Sequence, residues 1–198
     1  METEIEAKFL DIDAGALREK LKSLGAELVY SERPMKRKNF DFPARSLEKI
    51  GGWVRVRDEG DTVTMSYKQL NDLTLHGVKE VVVDVGDFGS ACKFCTAIGL
   101  EEKAYQETKR EMWQWGNSEI AIDTWPWIPP FVELESSSEG EIKDLAARLG
   151  FDWKDALHGS VEYAYQKYFD IKPEELYNWK RITFEPIPDW LEARRRKY

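Results

Sequence analysis

Residues 1–10 read METEIEAKFL, and the pattern of this stretch decides the fold. From Glu4 to Phe9, charged side chains occupy every second position, with apolar side chains between them. Because neighbouring residues of a β-strand point to opposite faces of the sheet, the pattern predicts a strand with one charged and one apolar face. The charged positions are Glu4, Glu6 and Lys8. A charged face usually contacts water, so this strand taken alone leaves its orientation open.

The same alternation recurs in further segments, which are expected to be strands. They span residues 35–42, 51–60, 62–70, 77–85, 107–115, 118–125 and 130–136. In residues 51–60, for example, Arg55 and Arg57 share one face and Val54 and Val56 share the other. The polar faces of the other strands carry Arg37 with Asn39, Thr64 with Ser66 and Lys68, Glu80 with Asp84, Thr108 with Arg110, Glu119 with Asp123, and Glu133 with Glu135.

Three further segments carry apolar residues at helical spacing, with a glycine placed to end each helix. They span residues 14–30, 87–105 and 139–153. If the apolar faces of the strands point outward beneath these helices, the charged faces line an interior. The predicted fold is therefore α+β: an eight-stranded antiparallel β-barrel with a charged interior and amphipathic helices packed outside.

After residue 150 the pattern becomes less regular. Short helices are expected within residues 155–171 and 172–179, the second with Pro173 in its first turn. The chain then ends in a basic run from Arg194 to Lys197, which predicts a solvated terminal helix.

The charge balance limits the classes of partner. The 198 residues include 37 acidic and 29 basic ones, for a net charge of −8. Nucleic-acid binders usually carry an excess of positive charge, so no nucleic-acid partner is expected. No apolar run approaches the roughly 20 residues that span a bilayer, and the N-terminus lacks the features of a signal peptide. We expect a cytoplasmic protein without a membrane partner.

Both cysteines lie in one C-x-x-C stretch, as Cys92 and Cys95. A redox or zinc motif is one interpretation, but no second pair accompanies it. Together with Phe88 and Ile98 the cysteines follow helical spacing, which favours two buried thiols on an amphipathic helix.

The residue types of the predicted interior indicate its ligands. Arginine and lysine side chains suit phosphate oxygens. Glutamates without histidine or cysteine partners suit hard divalent ions such as Mg²⁺ or Mn²⁺. A polyphosphate bound together with a divalent metal ion matches both halves of this inventory.

Several motifs occur in an order that resembles the CYTH family, the triphosphate tunnel metalloenzymes. They are E-x-E-x-K in ETEIEAKF, R-x-R in WVRVRDE, the lysine of TMSYKQ, the KREMW strand and the closing EIAIDTWPWIPPFVELES. The resemblance covers residues 1–168, and the spacing is most similar to the class IV adenylyl cyclase branch. It implies a triphosphate tunnel domain at 1–168, with 169–198 as a helical extension packed on the same domain.

The resemblance also implies roles for individual residues. Glu4, Glu6 and Lys8 are the expected catalytic residues. The implied metal ligands are Glu4, Glu6, Asp123, Glu133 and Glu135. The implied triphosphate-binding residues are Lys8, Arg37, Arg55, Arg57, Lys68 and Arg110.

Two departures from the family pattern affect other residues. The R-x-E-x-E strand of the family has Lys79, Glu80 and Val82 here, so one acid is missing. A lysine common in the family is replaced by Thr108, and Lys109 is expected to point away from the interior. The roles of Glu80 and Lys109 therefore stay open.

Three functions remain after these arguments. If water attacks the triphosphate, the protein is a triphosphatase acting on tripolyphosphate, thiamine triphosphate or a nucleoside triphosphate, and this interpretation is favoured because it requires no base recognition. If the ribose 3′-hydroxyl of ATP attacks, the protein is a class IV adenylyl cyclase that releases cyclic AMP and pyrophosphate. A non-catalytic polyphosphate or nucleotide sensor, with 169–198 as a docking element, is the third.

Two tryptophans bear on the choice between these functions without deciding it. Trp125 and Trp127 could stack on an adenine or thiazolium ring, or they could be packing residues beside prolines. The oligomeric state is also left open, with a homodimer as one option.

Overall fold

The computed structural model describes residues 1–197, except for the side chain of Glu2. The strands are β1 Glu2–Thr3, β2 Glu6–Phe9, β3 Glu27–Asp41, β4 Gly52–Asp58, β5 Val63–Leu70, β6 Val78–Val85, β7 Glu101–Trp115, β8 Ser118–Thr124, β9 Phe131–Glu135 and β10 Arg181–Ile182. The α-helices are α1 Ala14–Ser23, α2 Phe88–Ala97, α3 Glu139–Leu149, α4 Glu162–Tyr168, α5 Pro173–Leu176 and α6 Asp189–Glu192. Single 3₁₀ turns cover Glu48–Ile50 and Trp153–Asp155.

The strands form one curled sheet whose two ends both belong to the N-terminal segment. The strand order is β1-β6-β5-β4-β3-β7-β8-β9-β2, and every pairing in it is antiparallel. Only Glu4 and Ile5 separate β1 from β2, so the two count as one interrupted strand. The other edge of β2 is bridged by Leu157. The predicted α+β fold of eight antiparallel strands around a charged interior is confirmed.

Two of the strands are longer than the sequence pattern predicted. β3 begins at Glu27 and not near residue 35, and β7 begins at Glu101 and not near residue 107. The two strands pair along almost their whole length, with irregular register in the first part of β3 and again between Asn39 and Phe40. That part contains Pro34 and consecutive polar residues, so it lacks the alternation from which the other strands were recognised.

Helices α1 and α3 cover the apolar outer face of the sheet. Together with β2, β8 and β9 they form a cluster that includes Ala7, Leu17, Leu21, Ile120, Leu134, Ile142 and Leu145. Each fully buried leucine or isoleucine contributes about 1.5–3 kcal/mol through its removal from water. This packing holds the strands with their opposite, charged face toward the interior. Within residues 1–197, no helix is both long and apolar enough to cross a membrane.

Helix α2 carries the two cysteines, which are free thiols. Cys95 is buried and its Sγ lies 3.8 Å from the Sδ of Met65, while Cys92 is half-buried. The predicted apolar face of this helix is wrong at one position, because Ile98 is 54% exposed. The helix ends at Ala97, so Ile98 leaves the face that packs on the sheet.

Helices α4 to α6 pack against the segment that joins β8 to β9. Their shared cluster contains Trp125, Ile128, Phe131, Tyr165, Phe169, Leu176 and Leu191. The prediction that the basic run is helical is wrong, since α6 ends at Glu192, but Arg195, Arg196 and Lys197 are exposed as predicted. Arg194 instead binds both carboxylate oxygens of Glu175, at 2.6 and 3.0 Å. Tyr198, the last residue of the predicted extension, lies outside the described residues.

Candidate active site

The inner face of the sheet surrounds a cavity of about 810 Å³. All of the site residues predicted from the sequence line it, and they are Glu4, Glu6, Lys8, Arg37, Arg55, Arg57, Lys68, Arg110, Asp123, Glu133 and Glu135. Strand parity brings them together because the residues between them, such as Ala7 and Val56, are buried on the outer side. The cavity therefore collects charges of both signs from strands all around the sheet.

One wall of the cavity carries an excess of positive charge. Arg37 lies opposite Arg57 in the pairing of β3 with β4, and Arg55 and Arg110 are close by. Burial and the charges of these neighbours hold the pKa of Arg37 well below its usual value. The same effects lower the pKa of Arg57 to about 10. We refer to Arg37, Arg55, Arg57 and Arg110 as the arginine wall.

Several polar atoms of the arginine wall have no partner. Arg37 donates from Nη2 to Thr108 Oγ1 at 3.0 Å and stacks on Trp125, with 4.7 Å from Cζ to the ring centre. The Nε atoms of Arg37, Arg55 and Arg57 are buried without a hydrogen-bond partner in the described part of the chain. Buried donors normally have partners, so these three indicate a site for an anionic ligand.

The opposite wall carries an excess of negative charge. Glu6 and Glu119 both lie opposite Glu135 in the pairing of β2, β9 and β8. Burial, followed by repulsion from Glu133 and Glu6, raises the pKa of Glu135 to about 7. Burial and a hydrogen bond to Glu80 raise the pKa of Glu4 to about 8. We call Glu4, Glu6, Glu119, Glu133 and Glu135 the carboxylate wall.

Two lysines link the carboxylates to the rest of the site. Lys8 Nζ lies 2.8 Å from Glu6 Oε1, 3.0 Å from Glu133 Oε2 and 2.8 Å from the carbonyl oxygen of Gly159. Burial opposes the charge of Lys8, but the two carboxylates outweigh it and raise its pKa. Lys68 Nζ lies 2.8 Å from Glu4 Oε2 and 3.2 Å from a Glu80 oxygen.

Arg110 connects the two walls. It binds both oxygens of Asp123, at 2.7 and 2.6 Å, and Glu133 Oε1 at 2.9 Å. Burial opposes the charge of Arg110, but Asp123 and Glu133 raise its pKa well above the usual value. Asp123 therefore lies at the boundary between the walls, with both oxygens held by one guanidinium.

The two residues whose roles were left open, Glu80 and Lys109, lie on opposite sides of the sheet. Glu80 lines the cavity and accepts a 2.9 Å hydrogen bond from Arg55. Thr108 is buried and accepts the bond from Arg37, whereas Lys109 points outward toward Glu32, 3.7 Å away. Of the two tryptophans, Trp125 lines the cavity, while Trp127 donates to the carbonyl of Glu185 and packs on Trp179.

Sequence reasoning missed several residues that line the cavity. Glu119 shares the polar face of its strand with Asp123, and this alternation is the sequence signal that marks it as a cavity residue. Glu59 follows β4 and pairs with Arg57 at 2.5 Å. Glu162 and Tyr177 also line the cavity, and they come from irregular segments that offered no periodic signal.

The carboxylate wall has the chemistry of a divalent-metal site. Its donors are all carboxylate oxygens, which Mg²⁺ and Mn²⁺ prefer. The raised pKa values of Glu4 and Glu135 reflect burial first and the neighbouring carboxylates second. Within residues 1–197, the carboxylates turn toward lysine and arginine, and no three acidic, histidine or cysteine side chains form a metal-binding group. The residue types therefore fit a divalent ion that displaces some of these ion pairs.

Comparison with solved structures gives the same fold at low sequence identity. An adenylate cyclase candidate from Vibrio parahaemolyticus has a TM-score of 0.72 at 16% identity, over 82% of this chain and 97% of its own. The PH1012 protein from Pyrococcus horikoshii has a TM-score of 0.65 at 20% identity, over 77% and 93%. An adenylyl cyclase candidate from Hippeastrum, described as having a dominant triphosphatase activity, has a TM-score of 0.58 at 15% identity, over 84% and 95%.

Sequence comparison identifies the family directly. A comparison with curated proteins finds no significant match. The family model described as the CYTH domain matches residues 2–160. This match extends over most of the chain and contains every predicted site residue, and the chain belongs to the CYTH family.

Proposed function

We propose that this protein is a divalent-metal-dependent triphosphatase, whose substrate is inorganic tripolyphosphate, thiamine triphosphate or a nucleoside triphosphate. The observation that supports this most strongly is the division of one cavity into an arginine wall and a carboxylate wall. A triphosphate carries several negative charges along a short chain, and a divalent ion neutralises only part of them. A site that accepts both ligands needs both walls.

The basic residues would bind and orient the phosphates. The free Nε–H groups of Arg37, Arg55 and Arg57 would donate to phosphate oxygens, in charge-assisted hydrogen bonds. Lys8 and Lys68 each contact two carboxylates. They would position the phosphate chain between the two walls. Arg110 would hold the phosphate nearest to Asp123. Binding of this kind supplies most of the catalysis in phosphoryl transfer, because positioning and charge stabilisation dominate it.

The acidic residues would hold the ion. Glu4, Glu6, Glu133 and Glu135 are the proposed ligands for Mg²⁺ or Mn²⁺, with Asp123 beside them. The ion supplies stabilisation of the charge that develops on the phosphate oxygens. Together with Lys8, Glu4 and Glu6 would then act as the catalytic residues.

The proposal is tested by product analysis. The purified protein is incubated with ATP, tripolyphosphate or thiamine triphosphate, with Mg²⁺, Mn²⁺ or a chelator, and the products are separated by chromatography. Orthophosphate released only with the metal supports the triphosphatase. Cyclic AMP with equal pyrophosphate would replace it by the cyclase, and tight binding without any product would replace it by the sensor. Glu102→Gln, an exposed acid on the outer side of β7, serves as the control variant.

We also propose the organisation and setting of the protein. The contacts of α4 to α6 with Trp125, Ile128 and Phe131 support a tunnel domain at 1–168 with 169–198 packed on it. The cytoplasmic location and the homodimer stay predictions, as does the absence of nucleic-acid and membrane partners.

A further inference from the structure

Glu162 is a buried acid in the cavity that the proposed hydrolysis does not use. It begins α4, two residues beyond the segment that matches the CYTH model. The residue is 8% exposed and lines the cavity, and its Oε2 has no hydrogen-bond partner in the described structure. Burial raises the pKa of this carboxyl group, although Ser160, Lys8 and Arg37 act in the opposite direction.

The fold holds Glu162 firmly in this position. Helix α4 buries Ala164 and Tyr165 next to it, and the Tyr165 hydroxyl donates a 2.7 Å hydrogen bond to the carbonyl oxygen of Pro126. The segment before the helix is attached to β2, because Lys8 donates to the Gly159 carbonyl. A buried acid on such a well-anchored element is unfavourable unless a ligand uses it.

Two hydroxyl groups lie beside Glu162. Ser160 and Tyr177 both line the cavity, as do the apolar side chains of Val161 and Leu176. Burial, followed by the charge of Glu162, raises the pKa of Tyr177, so the carboxyl and the phenol interact electrostatically. The group therefore combines one carboxyl, two hydroxyls and an apolar surround.

Phosphate is an unsuitable ligand for this group. A carboxylate repels phosphate oxygens, and the unpaired Nε donors of Arg37, Arg55 and Arg57 lie on the arginine wall, whereas the unpaired hydroxyl of Ser160 belongs to this group. The cavity of about 810 Å³ is in the size range of pockets that hold drug-sized organic molecules. An acceptor among apolar groups suits an N–H donor on a flat organic ring.

We propose that Ser160, Glu162 and Tyr177 form a subsite for the organic part of the substrate, in which Glu162 accepts a hydrogen bond from an amino group on a nitrogen heterocycle. This rests on the proposed function and narrows its substrate to organic triphosphates that carry such a group. Inorganic tripolyphosphate has no part that reaches the subsite, so it is the poorer substrate.

The test compares substrates that differ in one amino group. The kcat/KM values are measured for ATP, for purine riboside triphosphate, which lacks the amino group of adenine, and for tripolyphosphate. The wild-type protein is expected to favour ATP over purine riboside triphosphate by about tenfold or more, as for a hydrogen bond to a charged group. In Glu162→Met this preference disappears, and the ratio of ATP to tripolyphosphate falls by a similar factor. In Glu174→Met, which removes an exposed acid on α5, both ratios stay at wild-type values.

Other outcomes overturn the subsite. One is an equal kcat/KM for ATP and purine riboside triphosphate in the wild-type protein. The other is a Glu162→Met variant whose kcat/KM falls by the same factor for all three substrates. Tyr177→Phe and Ser160→Ala remove single hydroxyls and test the same ratios if Glu162→Met does not fold. If the wild-type protein hydrolyses none of the three, the proposed function fails. Calorimetric binding of ATP and purine riboside triphosphate then still decides whether Glu162 recognises the amino group.

Discussion

The ammonium group of Lys8 donates a 2.8 Å hydrogen bond to the carbonyl oxygen of Gly159, 151 residues further along the chain. Gly159, whose carbonyl accepts this bond, has a φ of +88°, a conformation that favours glycine. A Cβ at this position would lie 2.9 Å from Leu73 Cδ2. Lys8 thus depends on a backbone conformation that glycine adopts without strain.

Gly159→Ala is expected to weaken both the fold and the site. Alanine at a positive φ costs about 1–2 kcal/mol, and the displaced carbonyl leaves Lys8 with fewer acceptors. Thermal unfolding should show a lower melting temperature, and triphosphate turnover should fall with it. Gly140→Ala is the matched control, because Gly140 lies in α3 with open space around it. That change should leave stability equal or raise it by about 0.5–1 kcal/mol. A Gly159→Ala protein as stable and active as the wild type would contradict this role of the turn.

Glu135→Gln is expected to separate stability from metal binding. Burial, followed by repulsion from Glu133 and Glu6, raises the pKa of Glu135, and a neutral amide removes the cost of both. The metal-free variant should therefore melt at a higher temperature than the wild type. At the same time it loses a proposed ligand, so its affinity for Mn²⁺, measured by calorimetry, should fall at least tenfold. Unchanged Mn²⁺ affinity would remove Glu135 from the metal site.

The metal-free protein is expected to lose stability as the pH rises. Glu4 and Glu135 have pKa values of about 8 and about 7 in the folded state, above the value of 4.5 for a free glutamate. The folded state therefore holds these protons more tightly than the unfolded state between pH 4.5 and 8. Folding is favoured at the acid end of this window and weakened toward pH 8, where both groups ionise.

Melting curves in a chelator, from pH 5.5 to pH 8.5, measure this effect. The expected loss is at least ~1 kcal/mol, or about 2–4 °C for a chain of this size. Excess Mg²⁺ should abolish much of the slope, because the ion takes the place of the protons. A melting temperature that does not change with pH in the chelator would show that neighbouring lysines and arginines already neutralise the carboxylate wall.

Arg57→Met is expected to reduce triphosphate binding. The change removes one of the guanidinium groups with an unpartnered Nε, and with it at least one charge-assisted hydrogen bond. The kcat/KM for the preferred triphosphate should fall about 10- to 100-fold. Lys36→Met removes a positive charge from the outer side of the neighbouring strand and should change kcat/KM less than threefold. Equal losses in the two variants would attribute the effect to net charge and not to the site.

The sequence predicted the inner face of the sheet well, because the direction of a strand residue depends only on its position in the alternation. Arg55, Arg57, Glu133 and Glu135 lie on regular strands, where every second residue faces the same side. Alternation no longer predicts which residues face the cavity where the regular strands end. The first part of β3 has irregular register, Glu59 follows the end of β4, and Glu162 and Tyr177 reach the cavity only through the packing of α4 and α5. Such positions depend on contacts between distant segments, which no periodicity records.

The interrupted first strand also sets the order in which the protein can be completed during synthesis. β9, the partner of β2, follows it about 130 residues later in the chain. At typical rates of 5–20 residues per second, β2 waits roughly 6–26 s for this partner. The carboxylates of β2 and β9 meet only at that point, so a nascent chain cannot capture a metal ion at this site before the last strands of the sheet are made.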